Sequence, residues 1–165
     1  MTSRRILRGI LLAVMAGVGV AAAMAPAGPA SSPPNFSGTW VLNPHRSEFA
    51  GETPPLSELQ QVEHKGIDLV VTIDEIGERG TVHGVARYTT DGKDVTNDVL
   101  GNSMKSSIGW DQDVMILRTW GRFGNADIML IDRWSLSPDG RTLTIARRFQ
   151  GRSRVVDQTL VFDRQ

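Results

Sequence analysis

The C-terminal two thirds of the chain alternates apolar and polar side chains with a period of two. Leu143, Ile145 and Phe149 alternate with Thr142, Thr144 and Arg148, and Val156, Leu160 and Phe162 with Asp157, Thr159 and Asp163. Ile67, Leu69, Val71 and Ile73 share one parity against Asp68, Thr72 and Asp74. Such alternation gives a β-strand one dry face and one wet face. Strand-like runs begin near Phe36, Leu59, Ile67, Thr81, Lys93, Met104, Val114, Ala126, Arg141 and Arg154. Turn signals separate them at Lys65-Gly66, Gly77 to Gly80, Asp91-Gly92, Gly101-Asn102-Ser103, Asp111-Gln112-Asp113, Gly124-Asn125, Pro138-Asp139-Gly140 and Gly151-Arg152. Gly supplies the positive φ of tight hairpins, and Asp or Asn tolerates it. The spacing is near the ~8–12 residues of an all-β sandwich or barrel. A meander of tight hairpins exposes two edges, and closing it on itself removes them. The pattern therefore predicts one all-β, antiparallel up-and-down barrel of about eight to ten strands. The irregular connection between Asn43 and Ser57, with Pro44, Pro54 and Pro55, is the candidate cap over one barrel mouth.

The first residues follow a different pattern. Arg4, Arg5 and Arg8 precede an apolar Ala/Val/Gly-rich run from Ile10 to Ala25. Small residues then offer cleavage positions near Ala23 or Ala30, the form of an export signal. Residues 1–23 are read as a signal-peptide helix, 24–35 as a flexible linker and 36–165 as the barrel domain. The alternative is an uncleaved anchor, since a core of about 17 residues can just span a bilayer. Ser3-Arg4-Arg5-Ile6-Leu7 also has the form of a twin-arginine signal.

Composition narrows the function classes. Without the three leader arginines, 15 basic residues stand against 18 acidic, a net charge of −3. A mildly acidic domain has no long-range attraction for phosphate backbones, so a nucleic-acid partner is not expected. With no cysteine, the chain has neither disulfides nor a thiolate metal site, and core packing must hold an exported domain together.

Phe36-Ser37-Gly38-Thr39-Trp40-Val41-Leu42 carries a family resemblance. With Leu42-Asn43-Pro44, Ser47, the run from Trp134 to Ile145 and the closing Leu160-Val161-Phe162-Asp163-Arg164, it resembles the calycins, the lipocalins and fatty-acid-binding proteins. It is most similar to secreted bacterial lipocalin-like proteins, and the likeness spans nearly all of the barrel domain. The resemblance implies that Trp40, after Gly38, packs at the closed barrel end against Arg164. The export signal implies a periplasmic or secreted protein. The Thr-Asp-Tyr motif of true lipocalins is absent, as is the Arg-x-Tyr carboxylate clamp of fatty-acid-binding proteins.

Candidate chemistry lies in charges on apolar strand faces. Asp132 shares parity with Ile128, Leu130 and Trp134, and Arg147 with Leu143, Ile145 and Phe149. A two-residue turn at Asp139-Gly140 sets Asp132 opposite Arg147, whereas a three-residue bulged turn starting at Pro138 would shift the pairing. Arg118 shares parity with Val114, Ile116 and Trp120. The expectation is an Arg118–Asp132–Arg147 cluster beside Trp120 and Trp134, with Tyr88, Arg87 and Trp110 as further wall candidates. An ion-paired arginine in an apolar barrel suits an anionic or polar ligand, and a structural salt-bridge ladder is the alternative. His45, His64 and His83 suggest no shared face, so no metal site is expected. His83 is the candidate if one histidine serves as an axial haem ligand. There is no Gly-x-Ser-x-Gly elbow, no phosphate loop and no assignable catalytic residue or cofactor.

The expected function is non-covalent binding of a small, apolar or amphipathic ligand, with Trp120, Trp134, Arg118 and Arg147 orienting it. Two alternatives remain: an interaction or inhibitor module using the hairpin loops, and a small barrel enzyme. No membrane span is expected once the signal is removed.

Overall fold

A computed structural model describes residues 32–165 apart from Arg79. The predicted signal peptide and most of the linker lie outside the described residues. Ten strands follow one another: β1 (Gly38–Leu42), β2 (Ser57–Lys65), β3 (Asp68–Gly77), β4 (Gly80–Thr89), β5 (Val95–Val99), β6 (Asn102–Asp111), β7 (Val114–Phe123), β8 (Ala126–Leu136), β9 (Thr142–Gln150) and β10 (Val155–Arg164). The described residues contain one 3-10 turn, Pro44–Arg46, and no α-helix. Each strand pairs antiparallel with its neighbour in the order β4-β3-β2-β1-β10-β9-β8-β7-β6-β5. The first strand meets the last, with Trp40 opposite Arg164 and Leu42 opposite Phe162, so the meander wraps into an up-and-down barrel.

Closure is completed differently at the ends of that order. The Asn97 side chain stands in for a ladder between β4 and β5. It accepts from the Arg87 N–H at 2.9 Å and donates to the Arg87 carbonyl at 2.9 Å. One amide thereby satisfies both backbone groups of Arg87, which an open edge would leave unpaired.

Alternation fixes which residues point inward. Val62, Leu69, Val71, Ile108, Met115, Leu117, Trp134, Leu143, Ile145, Leu160 and Phe162 form one buried core with Phe36, Trp40 and Leu42. This core fills the barrel end that carries the Gly66, Gly92 and Gly140 turns. Phe36 plugs it, packing edge-on against Trp134 at 5.9 Å and stacking near His64 and Trp110 at 6.3 and 6.2 Å. The Phe36 carbonyl accepts from Trp40 Nε1 at 3.0 Å, and its N–H donates to His64 Nδ1 at 3.4 Å.

Arg164 seals the plug from outside. Its guanidinium carbon lies 4.9 Å from the centre of the Trp40 ring, and Nη2 donates to the Ser37 carbonyl. Such a contact contributes about 0.5–2 kcal/mol. Gly38 makes room for it: with φ +153°, a Cβ there would stand 2.9 Å from Arg164 Nε.

The connection after β1 crosses the opposite end. Pro44–Arg46 turns the chain, and Ser47 Oγ accepts from the Val161 N–H at 2.9 Å. Glu48 then rejoins β10, exchanging backbone hydrogen bonds with Thr159 at 2.7 and 2.9 Å. Asn43 Nδ2 and Arg46 Nη1 both donate to the Asp163 carboxylate at 2.7 Å, while Glu52 pairs with Arg154. These contacts account for the Asn-Pro and nearby Ser pattern as the fastening of the connection to the last strand.

Candidate functional site

Above the packed floor the inner face turns polar. Asp132 on β8 faces Arg147 on β9 across the ladder, with Trp134 opposite Ile145 and Leu136 opposite Leu143. The carboxylate accepts two parallel hydrogen bonds, from Arg147 Nε at 2.9 Å and Nη2 at 2.8 Å. The Asp132 side chain is 4% exposed and that of Arg147 is 28% exposed. Bidentate geometry is the strong form of such a pair. Inside a barrel it still barely offsets the cost of removing two charges from water.

Four residues from the other side complete the cluster: Glu58, Gln60, Glu75 and Tyr88. Glu58 faces Glu75 across the β2–β3 ladder, while Tyr88 on β4 lies opposite Leu69 and feels the charges of Asp132 and Arg147. Gln60 Nε2 donates to Glu58 Oε1 at 2.7 Å. Burial raises the Glu58 pKa above its ordinary value; the Gln60 hydrogen bond and Arg147 pull it down, while Glu75 and Asp132 push it up. Burial, reinforced by Asp132 and opposed by Arg147, pushes the Tyr88 phenol up to about 12. For Arg147, burial works against the charge, but the carboxylates of Asp132 and Glu58 outweigh it and raise its pKa. Gln60 Oε1 and Trp134 Nε1 are buried with no hydrogen-bond partner.

Two clefts open near this cluster at the barrel mouth. One, of about 300 Å³, is lined by Leu130, Phe149 and Val156 together with Arg147, Arg154 and Gln158. The other, of about 430 Å³, lies between the Glu52–Pro55 segment and the β3–β4 hairpin, with Glu75 and Glu78 in its wall. The expected cap from Asn43 to Ser57 contributes Glu52 to both.

The expected arginine cluster requires a correction. Asp132 lies opposite Leu117, and Arg118 lies opposite Ile131. Arg118 is therefore on the outer face, its guanidinium over the bare backbone of Gly109. Trp120 shares that outer face, between Lys105 and Met129. The cause is local: Val114, Met115, Ile116 and Leu117 are apolar on both parities, so periodicity does not say which face is inside. Turn register does, because the short Gly124-Asn125 turn sets Phe123 opposite Ala126 and hence Leu117 opposite Asp132.

The remaining candidates divide by depth. Trp134 is buried in the floor, one inward step below Asp132. Tyr88 and Arg147 lie in the polar layer, whereas Arg87 is exposed and Trp110 packs against Phe36. His83 lies on the outer surface beside Asp74, its Nδ1 2.7 Å from Oδ1, which removes the basis for an axial ligand there. His45 is exposed, and His64 is enclosed in the floor. Among the described residues no three His, Asp or Glu side chains converge as metal ligands. Glu58, Gln60 and Glu75 escaped sequence reasoning. Glu75 carries a usable signal, since it continues the parity of Leu69, Val71 and Ile73.

No protein-family model and no curated protein sequence matches this chain. Solved structures do match its fold. A secretory abundant heat soluble protein of Ramazzottius varieornatus superimposes with TM-score 0.56 at 11% identity, over 78% of this chain and 94% of that one. The fatty-acid-binding protein of Manduca sexta gives 0.51 at 15% identity, over 78% and 99%. Zebrafish ileal bile acid-binding protein, in complex with cholic acid, gives 0.55 at 12% identity, over 79% and 98%. At such identities the likeness speaks for architecture alone, and with the strand order above it is sufficient for one statement: this chain has the calycin fold.

Proposed function

We propose that the protein is an exported container that binds a small, partly apolar molecule non-covalently in the open half of its barrel. The observation that carries this reading is the contrast in filling. One end is plugged by Phe36, Trp40 and Phe162, while the other holds a buried polar cluster reached through clefts of about 300 and 430 Å³. A concave site with apolar walls and a few fixed polar groups is the usual form of a small-molecule site. Leu130, Phe149 and Val156 supply the walls, and Arg147, Gln60, Glu58 and Tyr88 the orienting groups. Two proteins of similar fold are a fatty-acid-binding protein and a bile acid-binding protein holding cholic acid. Export is the reading of the basic and apolar N-terminal stretch.

Native mass spectrometry of protein recovered from its export compartment tests both parts. A defined added mass on a chain lacking its first residues supports container and export together. A chain carrying no added mass, and unable to take up an apolar dye such as Nile red, opposes the container. A parity pair sharpens the dye test. Val156→Trp fills the inner cleft and is expected to weaken uptake at least about tenfold, whereas Val155→Trp on the outer face leaves it unchanged.

Exposed apolar tips favour a second reading. Leu100 is 64% exposed on the β5–β6 turn and Phe123 37% exposed at the end of β7, as an interaction module using its hairpin loops would require. Loss of a captured partner on Leu100→Ser and Phe123→Ser, with dye uptake intact, would favour that reading.

A further inference from the structure

We infer that the barrel selects an amphiphile whose polar end is a primary ammonium, and that it discriminates against carboxylates; this rests on the container reading. The sign of the interior carries the inference. Among the described residues, the inner face of the open half presents Glu58, Glu75 and Asp132 against the single guanidinium of Arg147. Both Arg147 Nε and Nη2 are already engaged by Asp132. At the mouth, Arg154 is likewise engaged by Glu52. A carboxylate entering this space would meet three like charges, and the Nε–Nη2 edge of Arg147 is already closed to it by Asp132. Like charges in a partly dry site repel far more than they do in water.

An independent observation concerns Gln60. The residue is 1% exposed, its amide nitrogen is given to Glu58, and its Oε1 is an acceptor with no donor. A buried acceptor left unpaired is costly, so a ligand bringing a donor gains by filling the gap. An ammonium has three donors and no acceptor. It can satisfy Gln60 Oε1 and a Glu58 carboxylate oxygen together, and it offsets part of the excess negative charge. Glu75 and Glu78 in the wall of the larger cleft give the same sign to the approach. The apolar chain then lies along Leu130, Phe149 and Val156.

The test is calorimetric titration of the mature chain with decylammonium, decanol and decanoate, each below its micelle concentration and at physiological salt. Decylammonium is expected to bind at least about tenfold more tightly than decanoate, with decanol between them, since one unit charge in such a site is worth an order of magnitude or more. Glu75→Gln, at the half-exposed mouth, should narrow the ratio, and Glu58→Gln with Glu75→Gln should bring it below about threefold. Asp68→Asn, on the outside of β3, should leave it unchanged and so exclude general attraction to an acidic protein. Decanoate binding as tightly as decylammonium overturns the inference and leaves the container intact. A ratio untouched by the interior variants, or altered equally by Asp68→Asn, also overturns it. Failure of all three probes to bind, with Nile red also excluded, overturns the container and this inference with it.

Discussion

The two halves of the barrel solve the same packing problem in opposite ways. The closed half is filled by side chains that want nothing from water: Phe36, Trp40, Leu143, Ile145 and Phe162 are completely buried. Even its buried histidine, His64, is treated as an aromatic plate, stacked beside both Phe36 and Trp110. The open half buries a carboxylate and a carboxamide, and holds an arginine, further carboxylates and a phenol around clefts. A chain without cysteine has no covalent staple, so the closed half must carry the stability that the open half forgoes. Burying charge costs free energy that hydrophobic burial does not. The asymmetry is thus the basis of the proposed binding site.

The largest test of this comparison is a matched pair of truncations. Trp40→Ala removes a fully buried indole and its guanidinium partner, and is expected to cost about 3–5 kcal/mol in urea unfolding. Phe149→Ala, on the wall of a cleft, is expected to cost about 1 kcal/mol, because the space it leaves is already continuous with solvent. Equal costs would mean that the open half is packed like the floor, and the container would lose its basis.

Next in size is the ion pair. Asp132→Ala leaves Arg147 without its partner and is expected to cost about 1–3 kcal/mol, moderated by the solvent that still reaches the guanidinium. Replacing both, Asp132→Leu with Arg147→Met, should restore wild-type stability to within about 1 kcal/mol. If the double replacement is as damaging as the single one, the pair is a structural strut and the alternative salt-bridge reading gains.

The same division separates what the sequence discloses from what it hides. The β8–β9 register is legible because Ile128, Leu130, Trp134 and Leu136 share one parity and meet Leu143, Ile145 and Phe149 on one face. Its turn is longer than the minimal hairpin: Ser137 N–H bonds to the Thr142 carbonyl at 2.9 Å and Gly140, at φ +67°, donates to Ser137 at 2.8 Å. Extending a loop symmetrically by one residue on each side leaves the pairing unchanged, so Asp132 still meets Arg147. On β7 periodicity is silent because its first four residues are apolar on both faces, and the parity of Arg118 with Val114, Ile116 and Trp120 is too weak a signal to set its side. On β2, Leu59 and Val62 lie on opposite parities, which conceals the inward direction of Glu58 and Gln60. The floor is legible because apolarity defines it. The site is not, because its residues look like surface until the register turns them inward.

The smallest expected effect is also the most diagnostic, because the two halves should respond to pH with opposite signs. Burial lowers the His64 pKa below 6.5, with the Gly66 backbone acting weakly the other way. The folded protein therefore holds the neutral ring, and protonation would remove the acceptor used by the Phe36 N–H. As pH falls below 6.5 the unfolded chain takes up this proton first, so the stability drawn from His64 is full above 6.5 and is lost on acidification. Glu58 runs the other way. Its pKa is raised above 4.5 by burial, so the folded protein binds the proton more tightly and ionisation at higher pH costs stability. Urea midpoints for wild type, His64→Gln and Glu58→Gln, measured from below 4.5 to above 6.5, separate the two. The wild-type advantage over His64→Gln should shrink as pH falls through 6.5, whereas Glu58→Gln should gain on wild type as pH rises above 4.5. Parallel curves for Glu58→Gln and wild type would place that carboxylate in water, and the acidic, enclosed character assigned to the open half would fail at its central residue.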